Sequence, residues 1–188
     1  MFEYIKSLFI VIWVVSPFYI IVRLLIRKKR KLKSSAVREF LLAFFVLFMT
    51  GLIALVFHSD EATSSTDAHY GPFERIRLKY HVHMTPFESI SGYFKNIGSV
   101  DFMINIVGNI VMFIPLGFFL PLFWKQWWKF WKIAIVAVGF PLFIETTQLF
   151  LNRHVDIDDI ILNALGVVVG YFIYKLLSYS FPKLRSIN

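Results

Sequence analysis

The chain has 188 residues, of which 57% are hydrophobic and only 17% charged, a balance outside the usual range of soluble proteins and typical of membrane proteins. It contains no cysteine, which excludes disulfides, thiol nucleophiles and thiolate metal ligands. The formal net charge of +8 is not a nucleic-acid signal, because the basic residues lie beside the hydrophobic runs. We therefore predict a membrane protein whose partner is the lipid bilayer and not nucleic acid.

Five hydrophobic runs approach the length of about 20 residues needed to cross roughly 30 Å of hydrocarbon. They are approximately 4–26, 40–57, 102–124, 133–150 and 159–177. The first run is followed by the basic segment 27–33 and not by a small-residue cleavage site, so we expect a retained helix and not a signal peptide. The predicted fold is all-α, a bundle of about five transmembrane helices with one extracytoplasmic loop.

The distribution of charge predicts the orientation of this bundle. With five spans, most of the twenty basic residues fall on one side and most of the twelve acidic residues on the other. The basic side is expected to be cytoplasmic, which places the N-terminus outside and the C-terminus inside. The chain is then divided into two helices with a cytoplasmic basic loop (1–57), an extracytoplasmic loop (58–101), a three-helix core (102–178) and a cytoplasmic tail (179–188).

The loop 58–101 is the one sizeable polar segment. Its first part is rich in small polar residues, whereas from Ile76 to Met84 apolar residues alternate with polar ones, a pattern that predicts a short extended piece. An amphipathic stretch from Pro86 to Tyr93 follows, and we expect it to lie in the membrane interface.

Three of the predicted spans carry polar residues at helical spacing. They are Asn105 and Asn109, then Glu145 and Gln148, then Asp159 and Asn163 in line with Gly166 and Gly170. At 1.5 Å per residue, each polar face lies within about 10 Å of the outer end of its span. A shared outward-opening cavity or a buried cluster would explain this common depth. Alternatively, the amides hydrogen-bond between helices and the two glycines form a small-residue face for close packing.

Acidic residues surround the turn before the last span. Glu145 can avoid a buried charge by taking a proton, by pairing with Arg153 or by binding a cation, which makes it the candidate catalytic residue. Asp159, together with Asp158, can cap the helix. Three carboxylates exceed what capping needs. We predict no cofactor, and the alternative is that Asp156, Asp158 and Asp159 bind a substrate amine or a divalent cation. The predicted ligand-binding residues are Asn105, Asn109, Glu145, Gln148, Arg153, Asp156, Asp159 and Asn163.

Four sequence blocks resemble a known family. "TPFESI", "NIVGNIVMFIPLGFFLP", "FIETTQLF" and "RHVDIDDIILNALGVVVGY" occur in this order and resemble the VanZ-like family of bacterial membrane proteins, from about His83 to Tyr171. The match departs at "HMTPF", where an Asn-Leu pair and an aliphatic residue are expected before Pro-Phe. The resemblance implies a multi-pass protein of the bacterial plasma membrane and cell envelope, with a part in low-level antibiotic resistance to teicoplanin and related lipoglycopeptides.

Three functions are compatible with these residues. The first is a non-enzymatic envelope protein that binds a lipid-linked cell-wall precursor or a lipoglycopeptide through the polar cluster. The second is a small membrane enzyme that modifies a lipid-linked or surface-polymer substrate, with Glu145 as general acid or base. The third is a structural accessory subunit whose polar residues hold the bundle together.

Overall fold

The computed structural model describes residues 2–30, 35–57, 70–78, 80, 82–151 and 153–187. Within these ranges the chain is almost entirely helical. The long helices are α1 (Phe2–Arg30), α2 (Ala36–Phe57), α6 (Asn109–Phe123), α7 (Phe130–Phe150) and α8 (Ile157–Ser180). The short helices are α3 (Pro72–Leu78), α4 (Glu88–Phe94) and α5 (Val100–Phe102). The two short strands are β1 (Val82–His83) and β2 (Val155–Asp156).

Four helices of the described residues are long and apolar enough to cross a membrane: Ala36–Ala54, Val100–Phe123, Phe130–Phe150 and Ile157–Ser180. The prediction of an all-α membrane protein is confirmed. The predicted count of about five spans is slightly high, because the first predicted span, α1, is not one of these four. The count remains compatible with the structure, since α1 is a continuous helix of 29 residues that ends in the basic run. The span Val100–Phe123 comprises α5, a π-helical segment (Met103–Gly108) and α6.

The core of the bundle is the contact between α6 and α8, which run parallel. Backbone atoms lie so close together here that a Cβ atom on Gly166 would stand 2.2 Å from the carbonyl oxygen of Ile110, and one on Gly170 would stand 2.0 Å from that of Ile114. The predicted small-residue face is therefore confirmed. Glycine is needed at these positions because any side chain would drive the two backbones apart.

The two ends of the bundle differ in chemistry. At the end where α7 leads into α8 lies the cap, which we define as residues 70–78, 80 and 82–99, containing α3, β1 and α4. At the opposite end the aromatic rings of Phe119 and Phe123 stack 5.5 Å apart, and Trp128 donates its indole N–H to the carbonyl of Pro121 at 2.8 Å. We call these the cap end and the aromatic end.

The cap departs from the sequence prediction in one respect. The alternation from Ile76 to Met84 predicted an extended piece, but Pro72–Leu78 forms α3, and the strand is limited to Val82–His83. Proline is well placed at the first helical position because the helix does not use its missing N–H. The first part of the predicted loop, 58–69, lies outside the described residues.

Candidate functional site

A cavity of about 300 Å³ lies between the membrane-spanning helices near the cap end. All of the predicted ligand-binding residues except Asp156 line it. The lining consists of Leu52, Ile104, Asn105, Asn109, Met112, Phe113, Ile144, Glu145, Gln148, Arg153, Asp159 and Asn163. The common depth of the polar residues in their helices therefore corresponds to one shared space.

The π-helical segment Met103–Gly108 forms one wall of this cavity. Its Asn105 donates a side-chain N–H to the carbonyl of Asp101 at 2.9 Å. One turn further on, Asn109 donates to Oδ1 of Asp159 at 2.7 Å and so joins α6 to the start of α8. π-Helical turns within α-helices frequently occur at functional sites, and this one lies beside the polar cluster.

Glu145 is the most deeply placed acidic residue of the cavity, with 3% of its surface exposed. Its Oε2 accepts a hydrogen bond from the backbone N–H of Asp156 at 3.2 Å. With the amide of Gln148 oriented so that its nitrogen faces Glu145, that nitrogen lies 3.0 and 3.1 Å from the two carboxylate oxygens. The two residues predicted to share a face of α7 thus form one hydrogen-bonded unit.

Asn163 also lines this cavity and has a buried side-chain oxygen without a partner in the described part of the chain. The residue is 4% exposed, and its Oδ1 has no hydrogen-bond partner among the described residues. A buried acceptor without a donor costs about 1–3 kcal/mol. The cavity is therefore incomplete as a hydrogen-bonding network, and a bound molecule with a donor group would complete it.

The aspartates at the start of α8 have separate structural tasks. Asp156, and not Asp159 or Asp158, is the N-cap residue: its Oδ1 accepts the backbone N–H of Asp158 at 2.9 Å. Its Oδ2 accepts the hydroxyl of Ser89 in α4 at 2.5 Å. The extended backbone of Asp156 explains this, because a cap residue lies just outside the helix, whereas Asp158 and Asp159 already belong to the first helical turn.

Asp158 fastens the cap to the bundle. The residue is 1% exposed, and its two carboxylate oxygens accept the backbone N–H groups of Phe87 at 2.6 Å and Ile90 at 3.0 Å. Phe87 has a φ of +66°, a left-handed conformation that is unusual for a non-glycine residue and is held here by this contact. The "TPFESI" and "RHVDIDD" blocks of the sequence therefore bind each other.

Arg75 makes a second connection between the cap and the bundle. It is 2% exposed, and its guanidinium donates to the carbonyl oxygens of Leu149 at 2.9 Å and Arg153 at 2.5 Å. In addition, β1 pairs in parallel with β2, with Val82 opposite Val155. These contacts fix the turn between α7 and α8 against the cap. The same turn contains Asp156, whose backbone N–H donates to Glu145.

The three aspartates do not converge as the ligands of a divalent cation would. Both oxygens of Asp156 and of Asp158 accept hydrogen bonds from the protein, and Asp159 faces Asn109. Within the described ranges, no group of three or more His, Cys, Asp or Glu side chains is arranged to hold a metal ion. Negative charge nevertheless accumulates at this end: burial raises the pKa of the Tyr93 phenol in α4, and the carboxylates of Asp159 and Asp156 raise it further.

We expect Asp158→Asn to loosen the cap without unfolding the bundle, because the amide retains one acceptor oxygen for the two backbone N–H groups. Loss of a charge-assisted hydrogen bond should cost about 2 kcal/mol. Hydrogen–deuterium exchange of residues 87–94 should increase by up to about 30-fold, while exchange in α6 stays unchanged. Asp101→Asn is the matched control because Asp101 is exposed. Equal exchange in the two variants would contradict the assigned role of Asp158.

Sequence reasoning missed Arg75 and the structural use of Asp158. Arg75 lies in a short polar helix, and the atoms it binds are backbone carbonyls more than 70 positions away, so no side-chain pattern marks it. For Asp158 a signal existed, since three carboxylates exceed what capping needs, but its partners are backbone N–H groups of the cap.

Comparison with known proteins places the chain in a family. The VanZ/LLP1 family model matches residues 43–178, from α2 to the end of α8. An uncharacterized membrane protein of Bacillus subtilis (strain 168), YwnJ, is 28% identical over 98 residues, which is 50% of this chain and 68% of that protein. No solved structure matches the chain. The matched region contains all the residues that line the polar cavity. Because the family model matches most of the chain, the protein described here belongs to the VanZ/LLP1 family of membrane proteins.

Proposed function

We propose that this protein binds an envelope ligand in the outer half of the bacterial plasma membrane through its polar cavity, and thereby contributes to low-level resistance to teicoplanin and related lipoglycopeptides. The observation that carries the proposal is a buried carboxylate, Glu145, and an unpartnered acceptor, Asn163 Oδ1, on the wall of one cavity. Polar groups buried in a membrane domain are costly and are usually retained for function.

The proposed orientation has the cap end outside and the C-terminus cytoplasmic and, with α1 as a fifth span, the N-terminus outside. The distribution of basic residues supports it: Arg38, whose guanidinium donates to the carbonyl of Phe123 at 3.4 Å, and the "WKQWWKFWK" segment lie at the aromatic end. Lipid-linked cell-wall precursors and the lipid tails of lipoglycopeptides are both exposed on the outer face. A cavity opening there would reach either of them.

The test is drug susceptibility of a Gram-positive host that produces the wild type or Glu145→Gln at matched membrane levels. We expect the wild type to raise the inhibitory concentration of teicoplanin and to leave that of vancomycin, which has no lipid tail, less affected. Glu145→Gln should lose this protection because the amide is neutral and carries donors in place of an acceptor oxygen.

Glu88→Gln is the matched control, since Glu88 is exposed on α4, and it should protect as the wild type does. Equal susceptibility of the wild-type and empty-vector strains would overturn the resistance function. If Glu145→Gln instead lowered the amount or the melting temperature of the protein, Glu145 would be a structural residue of an accessory subunit.

A catalytic function for the same cavity is favoured by one observation, the position of Glu145 between a backbone N–H and an amide in a largely water-excluded space. Such an environment suits a carboxyl that gives and takes protons as a general acid or base. Incubating the protein in membranes of its host and comparing lipid and cell-wall precursor masses with those from Glu145→Gln membranes tests this alternative. A new species that depends on Glu145 would support an enzyme, and identical spectra would exclude one for these substrates.

A further inference from the structure

Three of the side-chain amide nitrogens that line the cavity are directed at the protein itself. The side-chain nitrogen of Asn105 binds the backbone of its own helix, that of Asn109 binds Asp159, and that of Gln148 lies against Glu145. Each of these three amides therefore has a donor nitrogen engaged by an acceptor of the chain. A ligand in the cavity would therefore compete with the protein for these three donor nitrogens.

Its acceptors are in excess. Asn163 Oδ1 is buried without a donor, and the carboxylates of Glu145 and Asp159 face the same space, where Arg153 is the one basic residue of the lining. An ionised carboxylate withdrawn from water needs a positive partner or several hydrogen bonds. A ligand that completes this site must carry hydrogen-bond donors and favour a positive charge.

The remaining wall of the cavity is apolar. Leu52, Met112, Phe113 and Ile144 line it from three helices, and Ile104, which also lines it, has 63% of its surface exposed. Ile104 lies on a candidate membrane-spanning helix, so its exposed surface would face the lipid. A polar inner wall with an apolar edge open to lipid fits an amphiphile that enters sideways with its head group first.

We propose that the cavity binds the protonated primary amine of the head group of a membrane amphiphile, with the three N–H bonds of the ammonium directed at Asn163 Oδ1 and at the carboxylates of Glu145 and Asp159. This inference rests on the proposed function, since it names the chemical class of the envelope ligand. An ammonium offers three donors and one positive charge in a compact group, which matches three acceptor groups, two of them acidic, in the lining of one cavity.

Binding of defined lipids to the full chain in detergent, measured by native mass spectrometry, tests the proposal. The probes are phosphatidylethanolamine, phosphatidylcholine and phosphatidylglycerol with identical acyl chains. The first has a primary ammonium, the second a quaternary ammonium without N–H donors, and the third no amine. Glycerophosphoethanolamine, which has the same head group without acyl chains, is the soluble competitor.

We expect phosphatidylethanolamine to occupy one saturable site about tenfold more tightly than the other two lipids, the difference that one charge-assisted hydrogen bond provides. Asn163→Leu and Glu145→Gln should abolish this preference. Asn96→Leu and Glu88→Gln, which change exposed residues of the cap, should retain it. Melting temperatures of all variants show whether a lost preference for phosphatidylethanolamine reflects the site or the fold. If only variants with a strongly lowered melting temperature lose the preference, the result counts against the proposal.

The other outcomes separate this inference from the function on which it rests. Equal binding of the three lipids, weakened in every case by Glu145→Gln, would overturn the amine and leave ligand binding in the cavity intact. Competition by glycerophosphoethanolamine as strong as that by the lipid would assign the site to a soluble amine and overturn the amphiphile. If no probe bound in a manner that depends on Glu145, the amine proposal would fail, and the susceptibility test would decide independently whether the proposed function fails with it.

Discussion

Gly117→Ala should destabilise the protein more than any other single-methyl change in the bundle. A Cβ atom at Gly117 in α6 would stand 1.8 Å from the carbonyl oxygen of Val167 and 2.7 Å from its carbonyl carbon. Both are backbone atoms of α8, which cannot move aside as the end of a flexible side chain would. Separating the two helices would loosen the packing on both sides of the contact, so we expect a loss of about 3 kcal/mol, at the upper end for overpacked cores.

Gly139→Ala in α7 is the matched control, because a Cβ atom there meets nothing within 4 Å. This substitution should be neutral or slightly stabilising, since alanine favours the helix over glycine. The measurement is thermal unfolding in detergent, followed by circular dichroism for both variants and the wild type. Similar melting temperatures for the two alanine variants would show that the α6–α8 contact is not as close as the structure has it.

Arg75→Met should destabilise the protein to a similar extent. The variant keeps an unbranched side chain but removes both hydrogen bonds to the carbonyl oxygens of Leu149 and Arg153, and it leaves these carbonyls without their charged donor. Hydrogen bonds from charged donors are worth about 1.5–3 kcal/mol each, so we expect a total loss of roughly 3 kcal/mol. The effect should be greatest in the cap and in the turn between α7 and α8.

Arg77→Met in the same short helix is the control. Arg77 is 75% exposed, and its ion pair with Glu74 spans 3.5 Å at the surface, where such pairs contribute little. Hydrogen–deuterium exchange of residues 82–94 and 153–158 should rise strongly in Arg75→Met and stay near wild type in Arg77→Met. Exchange that rises equally in both variants would mean that the cap is held by the helix α3 as a whole and not by the buried guanidinium.

The cap and the cavity are mechanically connected. Asp156 offers its backbone N–H to Glu145 on the cavity wall and its carboxylate to Ser89 in the cap. A variant that loosens the cap should therefore also disturb the position of Glu145. Measuring teicoplanin susceptibility of Asp158→Asn at matched protein levels would show whether this connection matters for the proposed function.

Much of the fold could be predicted from the sequence because the bilayer imposes simple rules on it. A spanning helix needs about 20 apolar residues, and this requirement identified all four spans, with bounds within a few residues of the observed ones in three of them. The polar faces were predictable for the same reason. Asn105, Asn109, Glu145, Gln148 and Asn163 stand out against an apolar background, and helical periodicity assigns those within one helix to a common face.

What only the tertiary structure decided is the pairing of groups that the sequence does not pair. Asp158 binds backbone N–H groups near position 90, and Arg75 binds carbonyls near position 150. Every residue has these backbone groups, so no pattern of side chains distinguishes the ones that will be used. The sequence by itself therefore determined which segments cross the membrane and how deep their polar residues lie. The packing of α6 on α8 and the docking of the cap decided which polar residues line a shared cavity and which form hydrogen bonds that stabilise the fold.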